Sequence, residues 1–353
     1  MRVLVAMSGG VDSSVAAAHL VEAGHEVVGA TLKLWTGPSD SGCCSVADAE
    51  DARRVAQVLG IDHHVFNYAE EFAERVVTPF VEDHRRGRSP NPCIECNRRV
   101  KFDLLVERAR RLGFDALATG HHARVALTGG RARLARGVDE RKDQSYVLAY
   151  LTAGDLERLV LPIGHLTKDD VRAEAARRGL RTWDKPDSQD VCFIPASSGR
   201  AAFLAERVAL TPAEVVDARS GEVVGEVPAA ELVTVGQRRG IAPGRDGERR
   251  YVTRVDLAAR RVEVAPLEAA LVHEVALEEG SLVVSGEPAS DGRRVRAQCS
   301  AHGRAVAATL GRRGGWRVVF DEPVRPVAPG QSVVWYSEDR PELVEGAGVA
   351  AAS

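Results

Sequence analysis

The chain has 353 residues, more than one ordinary hydrophobic core accommodates, so two or three domains are expected. Its formal net charge of −3 at pH 7 argues against a uniformly basic nucleic-acid binder. No stretch approaches the ~18 consecutive apolar residues of a membrane span, and the apolar N-terminus is too short for a secretory signal. We therefore expect a cytoplasmic protein that does not bind membranes.

The first half of the chain alternates strand patterns with helix patterns. Such alternation predicts an α/β domain, in which a parallel, Rossmann-like sheet is covered by helices on both faces. Strands are predicted at residues 2–7, 26–34, 63–68 and 115–119, and a hairpin at 123–125 and 132–135. Helices are predicted at residues 12–23, 45–59, 97–112, 144–151, 153–159 and 168–178.

The second half changes character after residue 209. Short valine-rich segments at 222–227, 251–255, 261–264 and 332–335 alternate with glycine and proline, which predicts small antiparallel β domains. The segment from residue 236 to residue 261 contains eight arginines and three acidic residues. Its net positive charge can neutralise phosphates. We expect an α/β domain at 1–200, a central β-rich domain at 201–264, a C-terminal β-barrel-like domain at 265–344 and a flexible tail at 345–353.

A glycine-rich loop, SGGVDSS at residues 8–14, joins the first predicted strand to the first predicted helix. Adjacent glycines let a ligand approach the backbone closely, and a helix N-terminus offers unpaired N–H groups. The loop is neither a Walker A loop nor a GxGxxG dinucleotide loop. We predict an anion cradle of the size of a pyrophosphate, and a plain glycine turn before a helix is the alternative.

Two cysteine motifs follow the loop. Cys93 and Cys96 lie three residues apart, where a loop enters the helix predicted at 97–112. The positive end of that helix and the basic residues after Cys96 would favour its thiolate. Cys192 lies in a separate motif at 187–194. In a reducing compartment such cysteines are typical of catalysis or metal binding rather than of structural disulfides.

Six motifs occur in a fixed order along the chain: SGGVDSS (8–14), NPCIECNRRVKFD (91–103), ATGHHAR (118–124), KDQSY (142–146), DSQDVCFI (187–194) and TVGQRRGI (234–241). The first resembles the SGGxDS loop of the PP-loop ATP pyrophosphatases. The full set resembles the bacterial tRNA-specific 2-thiouridylase family, from about residue 1 to residue 336. The resemblance implies a tRNA-uridine 2-sulfurtransferase. Such an enzyme adenylates the C2 oxygen of the wobble uridine and then replaces that oxygen with sulfur, releasing AMP and pyrophosphate.

The resemblance also implies partners and residue roles. Cys192 would carry a persulfide from a cysteine desulfurase or a sulfur-relay protein, and Cys96 would be the partner thiol that can form a disulfide with it. ATP and Mg²⁺ would be the cofactors, and tRNAs for Glu, Gln and Lys the substrates. The residues implied in ATP binding are Ala6, Met7, Ser8, Gly9, Gly10, Val11, Asp12, Ser13, Leu32 and Gly120. Those implied in tRNA binding are His121, Lys142, Asp143, Gln144, Arg238, Arg239 and Gln331.

Alternatives remain open for the cysteines. An iron–sulfur cluster held by Cys93, Cys96 and Cys192, with one open iron position, would support the same reaction by another route. Cys93 and Cys96 could also be half of a zinc site, although the sequence has no second CxxC. Some family members carry an Asp, proposed as a general base, where this chain has Cys93. The adjacent cysteines at 43 and 44 are interpreted as spare thiols.

Other residues also have simpler interpretations. His121 follows a predicted parallel strand, where ligands bind, but it also suits a hydrogen-bonded histidine at a strand end. Asp143 suits a helix cap. His122 stands where the family pattern has an aromatic residue. Two other classes of function are alternatives. The first is a PP-loop enzyme that uses ammonia or an amine and needs no cysteines. The second is a non-catalytic, metal-containing RNA-binding protein, but that function would leave the SGGVDSS loop unexplained.

Overall fold

The computed structural model describes residues 1–35, 45–187, 191–194, 199–244 and 247–352, so the cysteines at 43 and 44 lie outside the described residues. The chain forms two compact units. Unit 1 comprises Met1–Val77, Pro92–Gly199 and Glu342–Val344, and unit 2 comprises Thr78–Asn91, Arg200–Pro341 and Glu345–Ser353.

The described secondary structure is numbered in chain order. The helices are α1 (Val11–Glu22), α2 (Val46–Leu59), α3 (Ala69–Phe72), α4 (Thr78–Arg85), α5 (Pro92–Cys96), α6 (Asp103–Arg111), α7 (Ser145–Leu148), α8 (Ala153–Leu156), α9 (Lys168–Arg177), α10 (Gly199–Ala205) and α11 (Leu267–Ala270). Two π-helical turns, Ala73–Val77 and Asn97–Phe102, and a 3₁₀ turn, Ala230–Leu232, complete the helical segments.

The strands of the described residues fall into four sheets. They are β1 (Arg2–Ala6), β2 (Glu26–Lys33), β3 (Asp62–Asn67), β4 (Ala116–Thr119), β5 (Ala123–Thr128), β6 (Arg131–Arg136), β7 (Leu159–Val160), β8 (Ala213–Asp217), β9 (Val223–Val227), β10 (Tyr251–Asp256), β11 (Arg261–Ala265), β12 (Val272–Ala276), β13 (Val283–Val284), β14 (Arg294–Gln298), β15 (Val306–Arg312), β16 (Trp316–Val324), β17 (Ser332–Ser337) and β18 (Val344–Val349).

Unit 1 is built on a five-stranded parallel sheet in the order β3-β2-β1-β4-β7. Val3 and Val5 of β1 pack with Val15 of α1 and Val171 of α9 in one core cluster, while Leu4 of β1 is fully buried on the opposite face. Apolar residues on both faces of a strand are typical of a parallel sheet covered on both sides. The predicted α/β domain with helices on the sheet is therefore confirmed.

One helix of unit 1 begins earlier than the sequence pattern predicts. Helical structure starts at Pro92, continues through the turn Asn97–Phe102 and passes into α6. Proline favours the first position of a helix because its missing N–H has no intrahelical partner there. The prediction that Cys96 lies at a helix N-terminus is wrong: Cys96 is the last residue of α5, and Cys93 lies in its first turn.

The described residues of unit 2 form two sheets. The smaller has the order β10-β11-β8-β9 and the larger the order β12-β16-β15-β14-β17-β18-β13. Each has a separate apolar core, with Val252 and Val264 in the first and Val295 and Trp335 in the second. The prediction of small β domains in the second half is thus confirmed, although β8 and β11 pair in parallel where the sequence pattern predicts antiparallel strands.

Residues 78–91 belong to unit 2, whereas the sequence pattern predicts them within the first domain. Helix α4 packs against the 3₁₀ turn Ala230–Leu232, and the ring of Phe80 lies 6.4 Å from that of Phe203 between centroids. The backbone N–H of Ser89 donates to the carbonyl of Pro329 at 2.8 Å. Within the described ranges, no helix is both long and apolar enough to cross a membrane.

The expectation of a flexible tail from residue 345 is wrong. Strand β18 lies between β17 and β13 in the larger sheet of unit 2, with Ala347 paired to Val283 and fully buried. A Cβ atom at Gly346 would lie 2.5 Å from Cζ2 of Trp335 and 2.6 Å from the carbonyl oxygen of Val283. The small residues that suggested disorder are therefore needed for close packing against the Trp335 ring.

We expect Gly346→Ala to lower the free energy of unfolding of unit 2 by about 1–3 kcal/mol, since the added methyl group overpacks a closed site. Chemical denaturation followed by tryptophan fluorescence measures this change. Gly225→Ala is the matched control, because a Cβ there would meet its nearest atom at 3.7 Å, which is ordinary contact. Equal stabilities of the two variants would contradict this account of Gly346.

Candidate active site

The glycine-rich loop connects β1 to α1, and its two glycines have different structural requirements. Gly9 has φ +70°, and a Cβ there would lie 2.2 Å from the carbonyl oxygen of Asp48. Gly10 has φ −94°, which other residues adopt, and a Cβ there would meet only Ser8 Oγ, at 3.5 Å. The fold therefore requires glycine at position 9, whereas Gly10 borders open space that a ligand can fill.

The N-terminus of α1 has no side-chain cap among the described residues. By contrast, α2, α8 and α9 each begin with a capping box, built on Ser45, Thr152 and Thr167. The first N–H groups of an uncapped helix, together with its dipole, form a ready anion site. Helix α1 therefore presents backbone donors beside the loop, as expected of a phosphate cradle.

The serine hydroxyls of the loop are used in different ways. Ser13 Oγ accepts from the N–H of Ser8 at 3.1 Å and donates to the carbonyl of Gly10 at 3.2 Å. Ser14 Oγ donates to the same carbonyl at 2.8 Å and accepts from Thr182 Oγ1 at 3.2 Å. Both are buried, so they shape the loop, and Ser8 carries the hydroxyl that is exposed to solvent.

The other residues predicted to bind ATP lie around this loop. Ala6 ends β1, and the N–H of the buried Met7 donates to the carbonyl of Ala30 at 2.8 Å. Leu32 is buried near the end of β2, and a Cβ at Gly120, just after β4, would lie 2.5 Å from the nitrogen of Ser13. The carboxyl ends of β2, β1 and β4 thus meet at the start of α1, where ligands bind in such sheets.

Asp12 is held by the side chains of Lys168 and His122, neither of which is among the residues predicted to bind ATP. Lys168 Nζ donates to Oδ1 at 2.8 Å and to Oδ2 at 2.7 Å, and His122 Nε2 lies 3.1 Å from Oδ1. Burial disfavours the charge on Asp12. The hydrogen bond with His122 and the charge of Lys168 outweigh burial and hold the pKa of Asp12 below its usual value.

A second carboxylate, Asp187, lies at the centre of a cluster of cations. Its oxygens lie 2.7 Å from Lys142 Nζ, 2.8 Å from Lys168 Nζ and 3.0 Å from Arg172 Nη2. Burial opposes ionisation, but hydrogen bonds from Lys142 and Lys168 lower the pKa of Asp187 to about 2. Lys142, predicted to contact tRNA, is therefore engaged with the segment that leads to Cys192.

Lys185 contacts the other side of the loop. Its Nζ donates to the carbonyl of Gly9 at 3.0 Å, to Asp48 Oδ1 at 2.7 Å and to Asp51 Oδ2 at 2.7 Å. Burial opposes the charge of this lysine, but its hydrogen bonds with Asp48 and Asp51 raise the pKa of Lys185 above its usual value. Lys185 thereby fixes the loop against the start of α2, a role with no local signal in the sequence.

The cysteine segments pack beside the same helical stretch, α3 and the turn Ala73–Val77. Helix α5, with exposed Cys93 and buried Cys96, packs against that turn. Cys192 is partly exposed, and the next residue, Phe193, is buried with its ring centroid 5.7 Å from that of Phe72 in α3. Both thiol-bearing segments are thus anchored to neighbouring parts of unit 1.

The metal alternatives for the cysteines concern Cys93, Cys96 and Cys192. Among the described residues, no three His, Cys, Asp or Glu side chains are grouped closely enough to hold a metal ion. Cys93, Cys96 and Cys192 all belong to that part of the chain, and the iron–sulfur cluster and the zinc site stay predictions. We assign no step to such a group.

His121 and Gln144 have internal partners near the loop. His121 Nδ1 lies 2.7 Å from Thr119 Oγ1, and its ring centroid lies 6.0 Å from that of Phe102. Gln144 Oε1 accepts from the N–H of His122 at 2.8 Å, and its own N–H donates to the carbonyl of His122 at 2.9 Å. These contacts hold the ATGHHAR and KDQSY motifs together at the edge of the sheet.

The Asp143 carboxylate is almost fully used within unit 1. It accepts from the N–H groups of Gly137 and Ser145, each at 3.0 Å, and from Arg136 Nη1 at 2.7 Å. Its side chain is only 6% exposed. Asp143 therefore positions the start of α7, as its interpretation as a cap suggests, and its predicted contact with tRNA remains untested.

In unit 2, Arg238 and Arg239 lie exposed on the loop that precedes β10. The loop is fixed by hydrogen bonds from Gly236 N–H to the carbonyl of Val252, at 2.7 Å, and from Val252 N–H to the carbonyl of Gln237, at 2.9 Å. Neither arginine has an ion pair within the described part of the chain. Both guanidinium groups are therefore available to an external anion.

The rest of the arginine-rich segment is partly neutralised by residues that it contacts. Arg250 is buried, with Nε 3.4 Å from Asp217 Oδ2. Arg254 and Arg261 each approach Glu263 Oε1 to 4.0 Å. The arginine count in the sequence therefore overstates the positive surface.

Gln331, also predicted to contact tRNA, is engaged within unit 2. Its side-chain amide donates to the carbonyl of Ser89, and its own carbonyl accepts from the N–H of Ala350 at 2.8 Å. These bonds tie the turn before β17 to residues 78–91 and to the C-terminal end of the chain. Contact with tRNA through this side chain stays a prediction.

Known protein families and individual proteins are similar to this chain along nearly its whole length. Three family models match in succession: the tRNA methyl transferase HUP domain at residues 1–196, the tRNA methyl transferase PRC-barrel domain at 201–266 and the aminomethyltransferase beta-barrel domain at 272–346. A tRNA-specific 2-thiouridylase from Mycolicibacterium vanbaalenii is 49% identical over 348 residues, covering 96% of each chain. The chain belongs to the tRNA-specific 2-thiouridylase family.

Other members of the 2-thiouridylase family are similar along nearly the same length. The protein from Thermobifida fusca is 46% identical over 346 residues, covering 96% of this chain and 93% of its own. The family resemblance drawn from the six motifs is therefore confirmed. A solved U34-tRNA thiolase from Methanococcus maripaludis aligns with a TM-score of 0.36 and 16% identity, over 54% of this chain and 61% of that chain, too weakly to support an argument.

Proposed function

We propose that this protein catalyses the ATP-dependent 2-thiolation of the wobble uridine of tRNA. The proposal is carried by two features found together in unit 1. Helix α1 begins without a side-chain cap just after Gly9 and Gly10, and two thiol-bearing segments pack beside one helical stretch. The names of the 2-thiouridylase relatives support the choice of tRNA as substrate.

ATP is proposed to bind with its phosphates at the start of α1. The backbone N–H groups there and the Lys168 ammonium would stabilise the phosphate charge, while Gly10 leaves the necessary space. Mg²⁺ would be carried by the phosphates themselves, which suits its oxygen preference. Both oxygens of Asp12 already contact Lys168, so the described residues do not form a Mg²⁺ site without ATP.

The chemistry explains why ATP and thiols occur together. The uridine C2 oxygen is a very poor leaving group, and its attack on the α-phosphorus of ATP, with loss of pyrophosphate, makes it part of AMP. A persulfide on Cys192 then attacks C2, and AMP leaves with the former C2 oxygen. The Cys96 thiolate attacks the γ-sulfur of Cys192, which releases 2-thiouridine and leaves a Cys96–Cys192 disulfide for an external thiol to reduce.

The proposal is tested with the purified chain, a tRNA containing an unmodified wobble uridine, ATP, and a cysteine desulfurase with cysteine as sulfur source. We expect pyrophosphate release and 2-thiouridine detected by nucleoside mass spectrometry, both dependent on ATP and tRNA. Absence of 2-thiouridine from reactions with folded protein would reject the proposal. Pyrophosphate release that needs ammonia but no tRNA would instead favour an amide-forming PP-loop enzyme.

Replacing both Arg238 and Arg239 with alanine is expected to lower the salt dependence of tRNA binding. Each lost phosphate contact reduces the slope of log K against log salt by about 0.7–0.9, so the double variant should lose about 1.4–1.8. Filter binding at several salt concentrations measures the slope. The matched control replaces Arg254 and Arg261, which already approach Glu263. A slope equal to that of the wild type in the Arg238 and Arg239 variant would reject their role.

A further inference from the structure

The ammonium group of Lys168 lies between two carboxylates. Its Nζ is 2.8 and 2.7 Å from the two oxygens of Asp12 and 2.8 Å from Oδ1 of Asp187. The side chain of Lys168 is only 9% exposed, so water contributes little to its solvation. An ammonium group has three protons, and these three contacts use them. An anion that binds Lys168 must therefore displace one of the two carboxylates.

The two carboxylates differ in their other partners. Asp12 has Lys168 as its only lysine or arginine partner among the described residues, with His122 at 3.1 Å as a further contact. Asp187 keeps Lys142 at 2.7 Å and Arg172 at 3.0 Å if Lys168 turns away. Because an unpaired, partly buried charge is costly, the contact with Asp187 is the one that gives way.

Lys168 also joins two functional segments. Asp12 belongs to the loop that cradles phosphates, and Asp187 lies five positions before Cys192 in the sequence. Beyond Cys192 the chain is anchored by the buried ring of Phe193, which lies 6.1 Å from Trp35 and 5.7 Å from Phe72 between ring centroids. On the other side of Cys192, the last described residue before position 191 is Asp187, which is held by its charge contacts.

We infer that Lys168 is shared between the phosphates of ATP and Asp187, so that ATP binding and the anchoring of the Cys192 segment oppose each other. The inference rests on the proposed binding of ATP at this loop. Lys168 then binds ATP directly, and Asp187 is a positioning residue that competes for the same ammonium. Coupling between two binding events is reciprocal. ATP binding weakens the contact between Lys168 and Asp187, and that contact therefore lowers the affinity for ATP.

Asp187→Asn keeps the size of the side chain and removes its charge. Without the competing carboxylate of Asp187, Lys168 should bind ATP more tightly. We expect the Kd for ATP to fall about fivefold or more and the formation of 2-thiouridine to slow. Isothermal titration with ATP in the absence of tRNA measures the Kd. A purely structural role of Asp187 would instead leave ATP binding unchanged or weaken it.

The matched control is Asp184→Asn. It makes the same change in charge three positions earlier, at an exposed residue for which the described part of the chain shows no ion pair. We expect wild-type affinity for ATP and wild-type thiolation in this control. Asp187→Glu, which restores the charge, should return the Kd for ATP towards the wild-type value.

A second readout follows Cys192 itself. The rate at which iodoacetamide alkylates Cys192, mapped by peptide mass spectrometry, should change on addition of ATP in the wild type but not in Asp187→Asn. Equal ATP affinities of wild type, Asp187→Asn and Asp184→Asn, with thiolation intact in the wild type, would overturn this inference alone. A wild-type chain that binds no ATP would reject the inference together with the proposed function.

Discussion

Replacing Cys192 with serine is expected to reduce 2-thiouridine formation at least about 10³-fold, because a hydroxyl group cannot carry the sulfur to be transferred. The variant should also show no protein-bound persulfide after incubation with a cysteine desulfurase and cysteine. Persulfide labelling followed by tryptic mapping measures the second effect, and nucleoside mass spectrometry the first. Pyrophosphate release with tRNA should persist, since adenylation precedes sulfur transfer.

Cys96→Ser and Cys93→Ser separate the two routes of sulfur transfer. On the persulfide route, Cys96→Ser should still load sulfur on Cys192 yet form little thiolated tRNA, and Cys93→Ser should keep much of its activity. Equal inactivity of all three variants, together with iron binding after anaerobic reconstitution, would contradict that route and favour the cluster. The helix predicted after Cys96 and the nearby cations indicate a Cys96 thiolate, but Cys96 ends α5, Arg99 pairs with Glu95 and Arg98 lies over the Tyr150 ring. The roles assigned here therefore depend on the chemistry of transfer.

Gly10→Val is expected to weaken ATP binding by about 10²-fold or more while leaving the protein folded. The backbone at position 10 is extended, with φ −94° and ψ 165°, a conformation that valine favours, so the side chain fits the protein but fills the phosphate cradle. Isothermal titration with ATP and thermal unfolding together test both parts of the expectation.

Gly9→Ala is the informative comparison for the loop. Its added Cβ would lie 2.2 Å from the carbonyl of Asp48, so this variant should lose thermal stability as well as ATP binding. If Gly10→Val bound ATP like the wild type, the phosphates would not lie at the start of α1, and the assignment of the loop would fail.

The sequence predicts those parts of the fold that depend on residues close together along the chain. The alternating patterns of unit 1 correctly predicted its parallel sheet, and Gly60 ends α2 in the left-handed conformation, with φ 68°, as its position after a helical pattern suggests. The hairpin of β5 and β6 also follows from local signals around Gly129 and Gly130. Each of these features is determined within a short stretch of chain.

The ion pairs of the candidate site were not predictable in the same way. Lys168 contacts Asp12 across 156 positions of sequence, and Lys185 contacts the carbonyl of Gly9 across 176. No periodicity or spacing connects such distant residues, although Asp187 is the first residue of the motif at 187–194 and Lys185 lies two residues before it. Composition misled at the C-terminus, where the glycines and alanines of β18 suggested disorder but pack against Trp335.

The assignment of residues 78–91 to unit 2 has a consequence for synthesis on the ribosome. Helix α4 is made before most of unit 1, but its packing partners, Phe203 and the turn Ala230–Leu232, are made only after unit 1 is nearly complete. Until then the apolar side chains Phe80 and Val81 lack the contacts that bury them in the finished protein. During this stage the nascent chain therefore carries an apolar segment without its packing partners, and such exposed apolar surface favours aggregation.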